Sequence, residues 1–116
     1  STFTAIFESL VLGSKAGVRG EVMHEVFGAS GVGSPLLKNC SKLIMDRKFK
    51  GTGSQIATMY KDLGISMDLA KQNGVAMFTT AAAYELFQSG ISLFPDEDNW
   101  SIVRLLEQIA DTEVRW

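Results

Sequence analysis

The chain has few of the residues that cross-link or interrupt a fold: one cysteine, one histidine and two prolines in 116 residues. A lone cysteine, Cys40, cannot close an internal disulfide, so the chain reads as a protein of a reducing compartment, with the cytoplasm as its expected location. No basic cluster flanks Cys40, so it reads as a small, partly buried apolar residue rather than a nucleophile. His24 stands without a nucleophile beside it and reads as surface or packing. No His/Cys pattern has metal-ligand spacing, so no metal is expected. Positive charge is not in excess: 11 Lys and Arg against 13 Asp and Glu give a net charge of −2. That balance offers no field for nucleic acid or anionic lipid. No run of about eighteen apolar residues could cross a membrane. The first residues lack the basic and apolar regions of a secretory leader. There is no convincing strand, no repeat and no low-complexity tract. No Gly-x-Gly-x-x-Gly follows a strand, so a dinucleotide-binding domain is missing from these residues.

What remains is helical. Hydrophobic residues make up 46% and charged residues 21%, as in an ordinary globular domain. The length fits one domain with a core of modest size. Phe3, Ile6, Phe7, Leu10 and Val11 mark a first amphipathic helix closed at Gly17. A short second helix spans residues 21–27, with Val22, Met23, Val26 and Phe27 inward. Residues 28–34 read as a loop. Ser34 and Pro35 form an N-cap and first-turn pair for a third helix through Leu37, Cys40 and Ile44. Ser54 is the expected N-cap of a long fourth helix ending at Asn73, with Gly74 as its stop. A fifth helix covers residues 77–93, where the small stretch 79–83 lets another helix pack close. Asp96 or Asp98 caps the last helix, with Trp100, Val103, Leu106 and Ile109 on one face. The expected fold is all-α, about six helices in an irregular bundle.

The fourth helix carries the most informative stretch. Ile56, Met59, Tyr60, Leu63, Met67 and Ala70 recur at the helical period and form its buried stripe. Lys61 falls off that stripe, on a small polar face with Ala57, Gly64, Asp68 and Lys71. Near Gly64 another group could approach the backbone closely.

The run Lys61, Asp62, Leu63 resembles the Lys-Asp-Leu motif of the β-hydroxyacid dehydrogenases, the family of 3-hydroxyisobutyrate dehydrogenase and tartronate semialdehyde reductase. The resemblance extends over nearly the whole chain, as that family's C-terminal helical domain. Residues 5–17 are similar to its long helix, with Glu8 and Leu10 in a Glu-Ala-Leu-like run. Residues 30–37 are similar to its Ser-containing turn, and residues 96–103 to the segment that opens its last helix. The implied fold is that of the 6-phosphogluconate dehydrogenase C-terminal domain. The implied activity of the intact enzyme is NAD- or NADP-dependent oxidation of a small 3-hydroxy acid, or reduction of the matching semialdehyde. Lys61 is the implied cofactor-binding residue, reaching across a domain cleft. Homodimers or higher homo-oligomers are the implied assembly.

Three parts of the family pattern are missing: the dinucleotide fingerprint, the substrate-binding Ser-Gly-Gly segment and the catalytic Gly-x-x-x-Lys-x-x-Asn motif. That catalytic lysine is expected before Ser1. Lys15, near the far end of the first helix, does not replace it. Ser54 stands where the family often has an aromatic residue. No catalytic residue is therefore assigned within the chain, and the isolated chain is expected to be inactive.

Each candidate has a plainer reading. Lys61 without the motif is a snorkelling surface lysine. Asp62 is a carboxylate favoured by the helix dipole. Asp68 and Lys71 are a surface pair. Glu8 pairs locally. The basic stretch 46–53 is either a solvated connector or a lip of the interdomain cleft. A helix-turn-helix DNA reader fits poorly, because residues 47–50 are too short a basic cluster for a phosphate footprint. The alternative function is a non-catalytic oligomerisation module of the same fold. The aromatic content supports a two-fold dimer, with the first or fourth helix and the fifth at or near its interface.

Overall fold

In a computed structural model, residues 2–31 and 33–116 are described. Six α-helices and one 3-10 turn account for the regular structure among them: α1 Thr2–Lys15, α2 Gly20–Ala29, α3 Pro35–Met45, α4 Ile56–Asn73, α5 Phe78–Leu93, the 3-10 turn Asn99–Ile102 and α6 Val103–Ala110. The only strand-like feature among the described residues is an isolated bridge between Gln55 and Asp98. The all-α expectation holds.

The 3-10 turn is the hub. Ser101 and Ile102 are fully buried, and the turn touches α1, α3, α5 and α6. Around it pack Phe7 and Leu10 of α1, Cys40 and Ile44 of α3, Ile56 of α4 and Phe87 of α5. Gly90 lets α5 come this close: a Cβ there would lie 2.9 Å from Ile102 Cγ1. The α4–α5 hairpin is the largest helix pair and reaches out from this core. Eighteen residues make α4 about 27 Å long.

Several boundaries differ from the expectations, each for a local reason. Ser34 does cap α3, accepting the Leu37 N–H at 3.1 Å with Pro35 in the first turn. Ser54 does not cap α4. Its carbonyl accepts the Asn99 N–H, and Gln55 takes the N-cap position with no side-chain cap. The chain is held there by pairing with residues 97–99, so a capping hydroxyl is not needed. Asp98 precedes the 3-10 turn, but its carboxylate accepts the Thr52 N–H instead. Gly28 belongs to α2 rather than to the following loop, and Val32 of that loop lies outside the described residues. Val22 and Val26 are exposed; only Met23 is buried and Phe27 half-buried, because α2 packs α3 along a narrow seam. Ile109 is 76% exposed, since α6 turns Val103 and Glu107 inward.

Candidate functional site

The α4 stripe is arranged as its period requires. Ile56 and Ala70 are buried, and Met59, Tyr60, Leu63 and Met67 are half-buried against the rest of the fold. Lys61 is thereby turned outward. It is exposed and makes no hydrogen bond or ion pair among the described residues. Ala57, Asp68 and Lys71 on the same face are exposed as well. Among the described residues, no ion pair joins Asp68 to Lys71.

Gly64, one turn beyond Lys61, meets α5. A Cβ at Gly64 would lie 3.3 Å from the Tyr84 hydroxyl oxygen. The close approach read from the sequence is thus made by the protein's own tyrosine. The Tyr84 ring lies flat on Tyr60, centroids 4.8 Å apart and planes 9° apart. Tyr60 donates its hydroxyl proton to Gln88 Oε1. Hydrogen bonding to Tyr60 raises the Tyr84 phenol above its ordinary value, helped by desolvation and by the charges of Tyr60, Asp68 and Glu85. Tyr84 therefore stays a neutral phenol at physiological pH. Nothing local in the sequence marks Tyr84, since it stands on the next helix.

Chemically, this face offers a cation among carboxylates. Asp62 and Asp68 stand with Lys61 and Lys71 on this part of α4, so the local charge sums to about zero.

The other candidates sit elsewhere. His24 Nδ1 lies 2.9 Å from Ser41 Oγ, and its ring meets the edge of Trp116 at 5.4 Å. Ser41 is buried, so this pair is a packing contact rather than a nucleophile and base. Cys40 is fully buried, and desolvation pushes its thiol up to about 12. Glu8 is exposed on α1. Among the described residues, no group of three or more His, Cys, Asp or Glu is placed to hold a metal ion.

The basic stretch 46–53 is no solvated connector throughout. Arg47 donates to both carboxylate oxygens of Glu107, at 2.6 and 3.0 Å, and to the Val114 carbonyl at 3.0 Å. Phe49 is buried beneath the guanidinium groups of Arg47 and Arg104. An apolar cavity of about 300 Å³ opens between the start of α1, Phe27 and the start of α3. Lys61 does not line it.

Residues 1–106 match the sequence model of the family described as NAD-binding of NADP-dependent 3-hydroxyisobutyrate dehydrogenase. The chain belongs to that family. A 2-(hydroxymethyl)glutarate dehydrogenase of Eubacterium barkeri is 31% identical over 112 residues, covering 95% of this chain and 37% of that protein. A crystal structure of 3-hydroxyisobutyrate dehydrogenase from Salmonella typhimurium superposes with a TM-score of 0.83, covering 90% of this chain and 36% of that one. At 23% identity the second likeness speaks for the fold alone. The chain spans little more than a third of the length of these relatives. NAD(P) use is thus a family property. Residues 107–116, which include Glu107 and Val114 of the Arg47 contact, lie beyond the matched stretch.

Proposed function

We propose that this chain is the C-terminal helical domain of an NAD- or NADP-dependent dehydrogenase that acts on a small 3-hydroxy acid or its semialdehyde. Membership of the family supports the reaction class, and the 31% identity to a hydroxy-acid dehydrogenase supports the substrate class. The observation that carries the role of this segment is Lys61: an exposed ammonium on a long helix, with no hydrogen bond or ion pair among the described residues, within the Lys-Asp-Leu run.

The cofactor, when bound, supplies the hydride chemistry. The chain's own part is binding and orientation. Lys61 donates to oxygens of the cofactor's neutral portion, and α4 holds that donor on a rigid rod. The core beneath keeps the rod in place through Ile56 and Ala70. No catalytic group is assigned within these residues, because the acid–base lysine of the family pattern is expected outside them.

The test uses the full-length enzyme that carries this domain. Lys61→Ala is expected to weaken dinucleotide binding or lower turnover by about 1–3 kcal/mol, the worth of a charge-assisted hydrogen bond. Binding and kinetics within twofold of the parent would leave Lys61 a surface lysine. The isolated chain is expected to turn over no hydroxy acid, and measurable turnover would refute the domain assignment.

A second reading rests on a different observation. Leu69, Val75 and Phe78 are exposed towards the tip of the α4–α5 hairpin, and Ile65 is exposed one turn before Leu69 on α4. An apolar tip of this kind supports a homo-oligomeric assembly role, either beside the catalytic one or in its place.

A further inference from the structure

The base of the α4–α5 hairpin is tied shut. Among the described residues, six hydrogen bonds join residues 48–56, which lead into α4, to residues 97–101, which open the last helix. In only one of the six is the acceptor a side chain: the Thr52 N–H donates to Asp98 Oδ2 at 3.2 Å. Asp98 is 1% exposed, and no cation pairs with it among the described residues. A carboxylate buried this way is costly unless something favours its charge. The bridge to Gln55 sets Asp98 at the N-terminus of α4, where the helix dipole does so.

The start of α4 needs such an anchor. Among the helices, α4 packs chiefly on α5, and the residue it sends into the hub is Ile56, its first. The loop before it has little to hold itself. Gly51 and Gly53 turn through φ of 86° and 88°, and Thr52 stands between them. Lys61 follows Ile56 by five residues, about 7.5 Å along the axis. Where α4 leaves the hub therefore decides where the ammonium stands.

We propose that Asp98 is a positioning residue, which fixes the entry of α4 and through it the place of the Lys61 donor at the dinucleotide cofactor. This rests on the reading of Lys61 given above. Asp98 acts at a distance: its carboxylate grips the Thr52 N–H, the grip sets the glycine turn, and the turn sets the first residues of α4. With the acceptor gone the Thr52 N–H loses its partner, the turn relaxes and the helix start moves, carrying Lys61 with it.

The experiment measures dinucleotide dissociation constants by calorimetry in the full-length enzyme, well below the Tm of each protein. The variants are Lys61→Ala, Asp98→Ala, the two together, and Asp98→Asn. Asp98→Ala is expected to weaken binding between about threefold and tenfold. In the Lys61→Ala background the same change should alter binding by less than about twofold, because the donor it positions is already gone. Asp98→Asn keeps an acceptor for Thr52 and should bind within about twofold of the parent. If Asp98→Ala does not fold, Asp98→Ser takes its place in the same comparison, since serine suits the residue before a helical turn. Unchanged binding in Asp98→Ala, with Lys61→Ala weakened, overturns the inference and leaves the role of Lys61 standing. Unchanged binding in both overturns both. A loss in Asp98→Ala with none in Lys61→Ala removes the reading of Lys61 and this inference with it. An equal loss with and without Lys61 makes Asp98 a general support of the fold and also overturns the inference.

Discussion

Cys40 shows how burial alone sets the chemistry of a residue. Its sulfur sits between α3 and the hub with no basic group to stabilise a thiolate, so desolvation dominates and holds the thiol protonated up to about 12. In the unfolded chain the same thiol would ionise near 9.0. Between those values the unfolded state has lost a proton that the folded state keeps. Folding stability is therefore unaffected by this group below pH 9 and declines as pH rises from about 9 towards 12. A thiol reagent at pH 8 should leave Cys40 unmodified in the native chain and react fully in denaturant. Fast native labelling would show that α3 opens locally. Gly90 makes the complementary case for space. An alanine Cβ would sit 2.9 Å from Ile102 Cγ1, 3.0 Å from its Cδ1 and 3.3 Å from Ile56 Cγ2, in the densest part of the core. Gly90→Ala gains helix propensity but overpacks the hub. A net loss of about 1–3 kcal/mol is expected in urea unfolding; a stabilised variant would mean the hub yields easily.

At the scale of elements, what the sequence reveals and what it hides can be seen at the helix ends. Four helices, α1, α3, α4 and α6, stop in the same way, with paired backbone bonds running back across the last turn around a residue of positive φ. Gly17 (φ 91°) and Gly74 (φ 68°) do this without strain, and both stops are legible because glycine announces them. Arg47 (φ 57°) and Asp111 (φ 54°) do it with side chains attached, and neither is legible. Arg47 is held in that conformation by a partner 60 residues away, and no local pattern encodes a contact of that range. Glu107 has a side chain only 6% exposed, paired to Arg47 and accepting the Val114 N–H at 2.6 Å. The two charges thereby fasten the end of α3, α6 and the C-terminal segment together. Removing one strands the other in a dry place. Arg47→Ala is expected to cost about 3–5 kcal/mol of stability, far more than an exposed pair, while Lys42→Ala, which breaks the exposed pair with Asp46, should cost no more than about 1 kcal/mol. Equal losses in the two variants would show that Glu107 is rehydrated when its partner leaves. The same division holds for the candidate site. The outward placement of Lys61 is readable because its helix phase is local. The packing of Tyr84 on α4 is not, because it depends on how α5 lies over Gly64, and small-residue spacing only permits such packing without fixing it.

The molecule as a whole is longer than it is thick, 44 Å by 31 Å by 26 Å, and the hairpin tip is where its apolar residues go unused. Phe78 is 86% exposed, and Ile65 and Leu69 are 59% exposed one turn apart on α4. Beside them a shallow cavity of about 390 Å³ is lined by Leu69, Ala70, Val75 and Met77. A phenylalanine left this bare costs solubility and contributes nothing to the fold it stands on, since the hub is built without it. The physical expectation is that a second copy covers it, by two-fold pairing of the α4–α5 hairpins, burying well over about 1,000 Å² in total. The long fourth helix and the aromatic fifth helix are then the interface, as their sequence composition suggests. Sedimentation equilibrium at micromolar concentration should give a dimer for the parent chain. Phe78→Glu should give a folded monomer with an unchanged helical spectrum, because it places two like charges near the pairing axis and disturbs no core contact. A monodisperse monomer of the parent chain would remove the assembly role. A dimer that survives Phe78→Glu would move the interface to another exposed apolar group, such as Leu12 of α1 or Ile109 of α6.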